Sequence, residues 1–200
     1  MGVAGAAAGQ KEVLLAGMAG LLAGALSMAL GEWISVKSSQ ELYENQMDLE
    51  MEELEHNPEG EKRELTLIYV SKGVEKMEAE KMAEQAMQDK NVAHQILVKE
   101  ELGINAEDLQ GSAMEAAVTS FVLFGFGAIL PLLPYFFTSG FQAIWISAVV
   151  SAIGLFIIGA AITLFTGKNV WYSGFRQVIF GLAAAAVTYG IGSLIGVSLG

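Results

Sequence analysis

Long apolar runs and one long polar segment alternate along this chain, and this pattern predicts most of its architecture. Four runs approach or exceed the roughly 20 apolar residues that a transmembrane helix needs. They cover residues 13–35, 113–134, 141–166 and 174–198. The polar segment, residues 38–112, lies between the first and the second run. We therefore predict an all-α polytopic membrane protein with four complete transmembrane helices and one helical insert.

The polar insert divides into helices at residues that are typical of helix ends. Asn57 and Pro58 suit the N-cap and the first position of a helix, and Gly73 suits the end of that helix. The helix before Asn57 follows the first span and has no breaking residue at the junction. The predicted helices of the insert cover residues 37–56, 58–72, 74–89 and 92–102.

The charge of the chain is concentrated in the same insert. The whole chain is 53% hydrophobic and 16% charged, which is too apolar for an ordinary globular protein. Residues 38–112 nevertheless hold 19 of its 22 acidic and 7 of its 11 basic residues, a net charge of −12. Such an insert repels nucleic acid and attracts cations, so we expect divalent metal ions as partners and no nucleic acid. The four apolar spans make membrane lipid a further expected partner. The sequence contains no cysteine, which excludes thiolate metal sites.

Basic residues in the loops predict the orientation of the chain in the membrane. The loop at 135–140 carries none, whereas GKNVWYSGFR at 167–176 carries Lys168 and Arg176 beside an aromatic pair at interface height. With four spans, this second loop lies on the side of the insert, which follows Lys37. The positive-inside rule makes that side the cytosol. We therefore expect residues 38–112 to be cytosolic.

Two pairs of glutamates flank the predicted turn at Pro58. Glu50 and Glu53 precede it, Glu61 and Glu64 follow it, and both pairs have the three-residue spacing that places side chains on one helix face. If the two helices fold together, the four carboxylates could meet around a divalent cation, for which oxygen ligands are suited. The alternative is a solvated acidic face. A di-iron centre needs two E-x-x-H motifs, and the insert has only the one that ends at His56.

Glu32 is the ionisable residue inside the predicted first span. Such a residue is energetically unfavourable in a membrane and is by default functional, although it could instead reach the interface or pair with Lys37. The same span also has a small-residue face suited to close helix packing. Its glycines are Gly17, Gly20, Gly24 and Gly31.

The order of these segments resembles the vacuolar iron transporter family over essentially all 200 residues. The most specific parts are the stretch GALSMALGEWISVKSSQEL and the glutamate spacing of the insert, which ends in KEELGI. The resemblance implies a homodimeric transporter, not an enzyme, that moves Fe²⁺ and sometimes Mn²⁺ out of the cytosol in exchange for protons. It implies no prosthetic group. The metal would be substrate, with Zn²⁺ as a further candidate.

The resemblance also assigns roles to individual residues. It places the metal-collecting glutamates of the family on Glu50, Glu53, Glu61 and Glu64, with a fifth on Glu101, and it places a membrane methionine on Met28. Glu32 lies four residues further along the same helix face. Two methionines of the family's last domain helix are replaced here by Leu97 and Val98, and His94 is a possible substitute ligand. We expect the metal site at these residues.

The start of the chain differs from the family pattern of five spans. MGVAGAAAG resembles the last turns of the family's first helix, so most of that helix and its pore aspartate are expected to lie outside this sequence. We assign residues 1–37 to this remnant plus the first complete span, 38–112 to an acidic metal-binding domain and 113–200 to three spans. The alternative function is a membrane-anchored metal-binding, metal-sensing or iron-storage-linked module without transport. The membrane would be the plasma membrane in a prokaryote and a vacuole-type membrane in a eukaryote.

Overall fold

The computed structural model describes residues 1–6, 9–104 and 111–199, and side chains are described as far as residue 196. All regular secondary structure in these ranges is helical. The helices are α1 (Gly2–Gly5), α2 (Gln10–His56), α3 (Pro58–Ser71), α4 (Lys76–Ala86), α5 (Lys90–Glu100), α6 (Ala113–Leu132), α7 (Pro134–Phe137), α8 (Gly140–Thr166) and α9 (Val170–Leu199).

Four of these helices are long and apolar enough to cross a membrane, as the sequence predicts. They are α2, α6, α8 and α9. Helix α2 continues without a break from the first span into the insert and is 47 residues long. Helix α6 ends near Pro131, and Pro134 begins α7, since proline suits a first helical turn but not a helix interior. The chain is therefore an all-α polytopic membrane protein.

The chain separates into two compact units, which we describe one at a time. The membrane unit comprises residues 1–30 and 118–200, and the acidic unit comprises residues 31–117. Helices α2 and α6 contribute residues to both units. The functional assignment of residues 38–112 as a metal-binding domain stays a prediction.

Helices of the membrane unit approach one another at glycines. A Cβ added to Gly159 of α8 would lie 2.7 Å from the Ser173 carbonyl oxygen of α9, so no side chain fits at this crossing. On α2, side chains of α6 fill the space beside two of the four glycines predicted to form a packing face, Gly17 and Gly24. Around Gly20 and Gly31 an added Cβ would meet no atom of the described chain within 4 Å. The small-residue face is thus used over part of its length.

The acidic unit begins its helices with side-chain caps. Asn57 accepts a hydrogen bond from the Gly60 backbone N–H, with Pro58 next in the chain, and Gly73 has the positive φ of +93° that ends α3, as predicted. Two predicted helix starts were wrong by two residues. Glu75 caps α4 and Asp89 caps α5, and each accepts a hydrogen bond from a backbone N–H two residues ahead.

The hydrophobic core of the acidic unit is small and made of short side chains. Leucine and alanine side chains from α2, α3, α4 and α5 meet there, and Tyr69, Met87 and Ile96 pack against them. The buried members are Leu54, Leu65, Ala83, Ala86, Ala93 and Leu97. Because alanines predominate on α4 and α5, these helices can approach α2 and α3 closely. This close approach sets the positions of the polar side chains next to the core.

Candidate metal centre

Three glutamates lie one helical turn from the three core leucines of the acidic unit. Side chains four residues apart project from the same face of a helix, so burial of a leucine brings its glutamate to the edge of the core. The pairs are Glu50 with Leu54 on α2, Glu61 with Leu65 on α3, and Glu101 with Leu97 at the end of α5. Packing of the leucines therefore also brings the three carboxylates together.

The carboxylates of Glu50, Glu61 and Glu101 form one compact cluster. One oxygen from each lies within 4.8 Å of the oxygens from the other two. Glu50 and Glu61 are only 3% and 5% exposed, whereas Glu101 is exposed. The cluster is thus closed by α2 and α3 and open at the end of α5.

Burial and mutual repulsion raise the pKa values of all three carboxyl groups. Burial is the main cause for Glu50, and together with the surrounding carboxylates it raises the pKa of Glu50 to about 7. The pKa values of Glu61 and Glu101 are also raised, again first by burial and then by neighbouring carboxylates. A side-chain hydrogen bond with Glu50 partly offsets the rise in the pKa of Glu61. At neutral pH the cluster therefore favours bound cations or protons.

The buried oxygens of the cluster lack hydrogen-bond donors. Glu50 Oε1 and Glu61 Oε2 have no hydrogen-bond partner among the described residues. Four lysines of the acidic unit pair with other carboxylates: Lys37 with Glu41 at 3.7 Å, Lys62 with Glu84 at 3.9 Å, Lys72 with Glu100 and Lys90 with Glu55. Buried polar groups are normally satisfied, and oxygen-rich clusters suit hard or borderline divalent cations. The donor set therefore fits a divalent metal ion.

The other two predicted glutamates of the insert lie at the exposed side of the cluster. Glu53 and Glu64 are exposed, and their charges contribute to the raised pKa values of all three clustered residues. The structure thus brings five predicted glutamates into one electrostatic group but places only three within direct reach of a single ion. Glu50 and Glu61 lie four residues before the buried leucines and face the edge of the core, whereas Glu53 and Glu64, three residues further on, face solvent.

Met28 and Glu32 are exposed residues of α2. Met28 is 51% exposed and belongs to the membrane unit, while Glu32 belongs to the acidic unit. Neither is among the clustered carboxylates. Their predicted role in moving the ion through the membrane stays a prediction.

The positions where the family resemblance expects methionines serve the core instead. Leu97 is completely buried in the core, and Val98 is also buried. His94 is partly buried, and its Nε2–H donates a 2.8 Å hydrogen bond to the Met47 carbonyl oxygen of α2. This bond ties α5 to α2 and occupies one of the two ring nitrogens, so His94 has a structural contact where we considered a ligand.

Comparison with known proteins agrees with this architecture. The sequence profile of the VIT family matches residues 1–193. A vacuolar iron transporter from Acanthamoeba castellanii is 41% identical over 187 residues, covering 92% of this chain and 70% of the relative. Vacuolar iron transporter 1 from Arabidopsis thaliana is 31% identical over 195 residues, covering 97% of this chain and 78% of the relative.

A third relative, from another organism, also matches over the whole chain. The vacuolar iron transporter of Toxoplasma gondii is 32% identical over 208 residues, covering all of this chain and 69% of the relative. Names of enzymes do not occur among these relatives, and the family is one of transporters. With a family profile that spans nearly the whole chain and relatives aligned over most of their own length, this chain belongs to the VIT family of metal transporters.

Proposed function

We propose that this protein exports Fe²⁺ from the cytosol and that Glu50, Glu61 and Glu101 collect the ion. The observation that carries the proposal is the convergence of three carboxylates from three helices within 4.8 Å, two of them buried without a counter-ion in the described chain. Burying unpaired carboxylates destabilises a fold, so a bound cation would supply the missing partner. The names of the relatives, vacuolar iron transporters, support iron as the ion.

The dimensions of the cluster suit a small divalent ion. Three oxygens evenly spaced in a plane around one ion, with metal–oxygen bonds of about 2.1 Å, are about 3.6 Å apart. The clustered oxygens lie within 4.8 Å of one another, so movements of less than about 1 Å would bring all three into the coordination sphere. Mn²⁺ and Zn²⁺ have similar ligand distances and accept oxygen ligands, and we propose them as competing substrates.

We propose that the metal ion moves along α2 on its way through the membrane. Glu32 and Met28 supply a carboxylate and a soft thioether in the segment that leads into the membrane unit. We propose that the acidic unit faces the cytosol, that protons move in exchange, and that the transporter is a homodimer. The membrane is vacuole-type in a eukaryote or the plasma membrane in a prokaryote.

The test measures metal binding and metal flux on the same reconstituted full-length chain. The variant Glu50→Gln/Glu61→Gln removes the two buried carboxylates with minimal change in size. Its control, Glu78→Gln/Glu80→Gln, removes two exposed carboxylates of α4 and changes the net charge equally. We expect anaerobic Fe²⁺ affinity to fall by about 100-fold or more in the cluster variant, since each lost charged ligand weakens binding at least about tenfold, and to stay unchanged in the control.

Flux into liposomes separates transport from simple binding. Liposomes that contain the wild-type protein should accumulate Fe²⁺ and Mn²⁺ while protons move in the opposite direction. The cluster variant should need a higher external metal concentration for the same flux. Met28→Leu/Glu32→Gln should lower flux and leave the affinity of the cluster unchanged. Saturable binding without flux would instead show a membrane-anchored binding module. Equal affinity in the cluster variant and the control would refute the collecting role of the three glutamates.

A further inference from the structure

The membrane unit has two basic residues without an acidic counterpart. Its sequence, residues 1–30 and 118–200, contains four charged residues, of which Lys11 and Glu12 are neighbours. The other two are Lys168 and Arg176, which are exposed and form no ion pair with any described residue. Residues 118–200 contain no Asp or Glu that could approach them. Their counter-charge must come from outside this part of the chain.

Lys168 occupies a turn whose backbone is fixed on both sides. Gly167 ends α8 with a φ of +63°, and its N–H donates a 2.9 Å hydrogen bond to the Thr163 carbonyl oxygen. Asn169 then caps α9, because its Oδ1 accepts hydrogen bonds from the backbone N–H groups of Trp171 and Tyr172, at 2.9 and 3.2 Å. Lys168 lies between these two caps, so its Cα is held in place while its side chain remains free to reach a ligand.

Arg176 is drawn toward the same turn by an aromatic ring. Its guanidinium carbon lies 5.8 Å from the centroid of the Tyr172 ring, one helical turn closer to Lys168. The two Cα atoms are separated by eight residues, or about 12 Å along the helix axis. Reaching back by one turn of about 5.4 Å leaves the guanidinium about 6.6 Å along this axis from the level of the Lys168 Cα. The flexible four-carbon side chain of Lys168 is long enough to bridge this difference, so the two charges can reach one ligand.

A rigid aromatic cluster supports these two cations. Phe156 of α8 contacts Trp171 and Phe175 of α9, with ring centroids 5.6 and 5.5 Å apart, and the two α9 rings stack at 6.2 Å. The close crossing of α8 and α9 at Gly159 and Ser173 holds this cluster in place. Trp171 and Tyr172 are nonetheless about two-thirds exposed. Exposed Trp and Tyr next to Lys and Arg at the end of a span are typical of the lipid headgroup region.

We propose that Lys168 and Arg176 bind the phosphate of an anionic phospholipid, with Trp171 and Tyr172 at its glycerol and acyl boundary. Two cations within reach of one headgroup match its phosphate and a further negative charge on it. The rings lie where the apolar surface of α9 begins, so the same ligand needs an apolar portion. Charge complementarity thus selects an anionic lipid over a zwitterionic one. The site is independent of the carboxylate cluster of the acidic unit.

The test compares two lipids on the full-length chain. Wild-type protein is equilibrated with phosphatidylglycerol or phosphatidylcholine of equal chain length, and retained lipids are counted by native mass spectrometry beside the thermal midpoint. We expect a preference for phosphatidylglycerol of roughly tenfold or more, since each Lys or Arg near the membrane surface contributes about fivefold. Raising the ionic strength should weaken this preference, and this measurement needs only the wild-type protein.

Matched variants identify the residues that cause the preference for phosphatidylglycerol. Lys168→Gln/Arg176→Gln should abolish it, Arg176→Lys should keep most of it, and Lys76→Gln/Lys81→Gln, which removes two exposed cations of α4, should leave it intact. Equal retention of both lipids by the wild type would overturn the proposal, and so would an undiminished preference in the first variant. A change in oligomeric mass at constant lipid count would also overturn it, because acidic residues of another copy would then supply the counter-charge.

Discussion

The membrane unit and the acidic unit bring their helices together with different side chains. In the membrane unit, backbones meet at glycines such as Gly159, and large apolar side chains point outward, with Phe165 and Leu164 almost fully exposed. In the acidic unit, leucines and alanines point inward around Leu65 and Leu97. A lipid-facing helix gains nothing by hiding apolar surface from water, so close packing remains its main source of attraction, whereas a helix in water is held by apolar burial.

The two units also differ in the sign of the charge that they leave unpaired. The acidic unit buries carboxylates at Glu50 and Glu61 without a cation in the described chain, and the membrane unit exposes Lys168 and Arg176 without an anion. Each imbalance indicates a ligand of opposite charge, a metal ion in one unit and a lipid phosphate in the other. Charges without partners are thus more informative about function than the four ion pairs between described residues of the acidic unit.

The strongest test of this comparison removes a core leucine from the acidic unit. Leu65→Ala, at a completely buried position, should destabilise α3 and α5 by about 2–5 kcal/mol because it leaves a cavity. Leu67→Ala on the same helix is the control, since Leu67 is 68% exposed and its loss should change stability by no more than about 0.5 kcal/mol. Hydrogen exchange of α3 and α5 amides in the purified full-length chain measures both.

The same variant links the core to the metal centre. Leu65 lies one turn from Glu61, so a collapsed core should also displace that carboxylate and weaken Fe²⁺ binding. Leu67→Ala should leave binding unchanged. Equal stability of the two variants would show that the acidic unit does not depend on apolar burial, and the contrast between the units would fail.

Much of this architecture could be predicted from local sequence signals. The four spans follow from hydropathy alone, and the turn at Asn57 and Pro58 follows from the hydrogen bond that an Asn side chain can offer to the first helical N–H groups. The errors in the predicted starts of α4 and α5 have a local cause as well. Glu75 and Asp89 are the N-caps of these two helices. Asp is a common N-cap residue, and Asp89 marks the start of α5 at Lys90.

The membership of the carboxylate cluster could be predicted only in part. The spacing within each pair gives a shared helix face but cannot show which member faces the core. The four-residue distance from Glu50 to Leu54 and from Glu61 to Leu65 carries that information, and it becomes visible once the leucines are known to be buried. Glu101 joins through a tertiary contact about forty residues further along the chain, so only family resemblance could suggest it.

A second prediction concerns the pH dependence of the metal-free acidic unit. The pKa of Glu50 is about 7 in the folded state and about 4.5 in the unfolded state, so between these pH values the folded state binds more protons. The stabilising effect of protonation is therefore complete below about pH 4.5 and is lost as pH rises through about 7. At 1.36 kcal/mol per pKa unit, this loss amounts to at most about 3–4 kcal/mol.

Variants and added metal identify the source of this pH dependence. Glu50→Gln should flatten the profile and stabilise the acidic unit at pH 8, whereas Glu55→Gln, which removes an exposed carboxylate of the same helix, should keep the slope. Fe²⁺ or Mn²⁺ should restore stability above pH 7 in the wild type and in Glu55→Gln, but not in Glu50→Gln. Hydrogen exchange corrected for the intrinsic rate at each pH measures these effects, and a profile that is unchanged in Glu50→Gln would contradict the assignment.

The third prediction concerns the membrane unit, where packing at a glycine should matter more than apolar volume. A methyl group at Gly159 would lie 2.7 Å from the Ser173 carbonyl oxygen and 2.8 Å from the Gly174 Cα, and backbone atoms cannot rotate away. Gly159→Ala should therefore separate α8 from α9 and destabilise the membrane unit by about 1–3 kcal/mol, despite the higher helix propensity of alanine. Thermal unfolding followed by the fluorescence of Trp171, which lies beside this crossing, measures the change.

A matched glycine in α9 makes the test specific to close approach. Around Gly190 an added Cβ would meet no atom of the described chain within 4 Å, so Gly190→Ala should be neutral or should stabilise the helix by up to about 1 kcal/mol. The opposite responses of two identical substitutions would show that the crossing at Gly159, and not glycine content, holds α8 against α9. Because that crossing also positions the aromatic cluster at Trp171, Gly159→Ala should weaken phosphatidylglycerol retention as well, whereas Gly190→Ala should not.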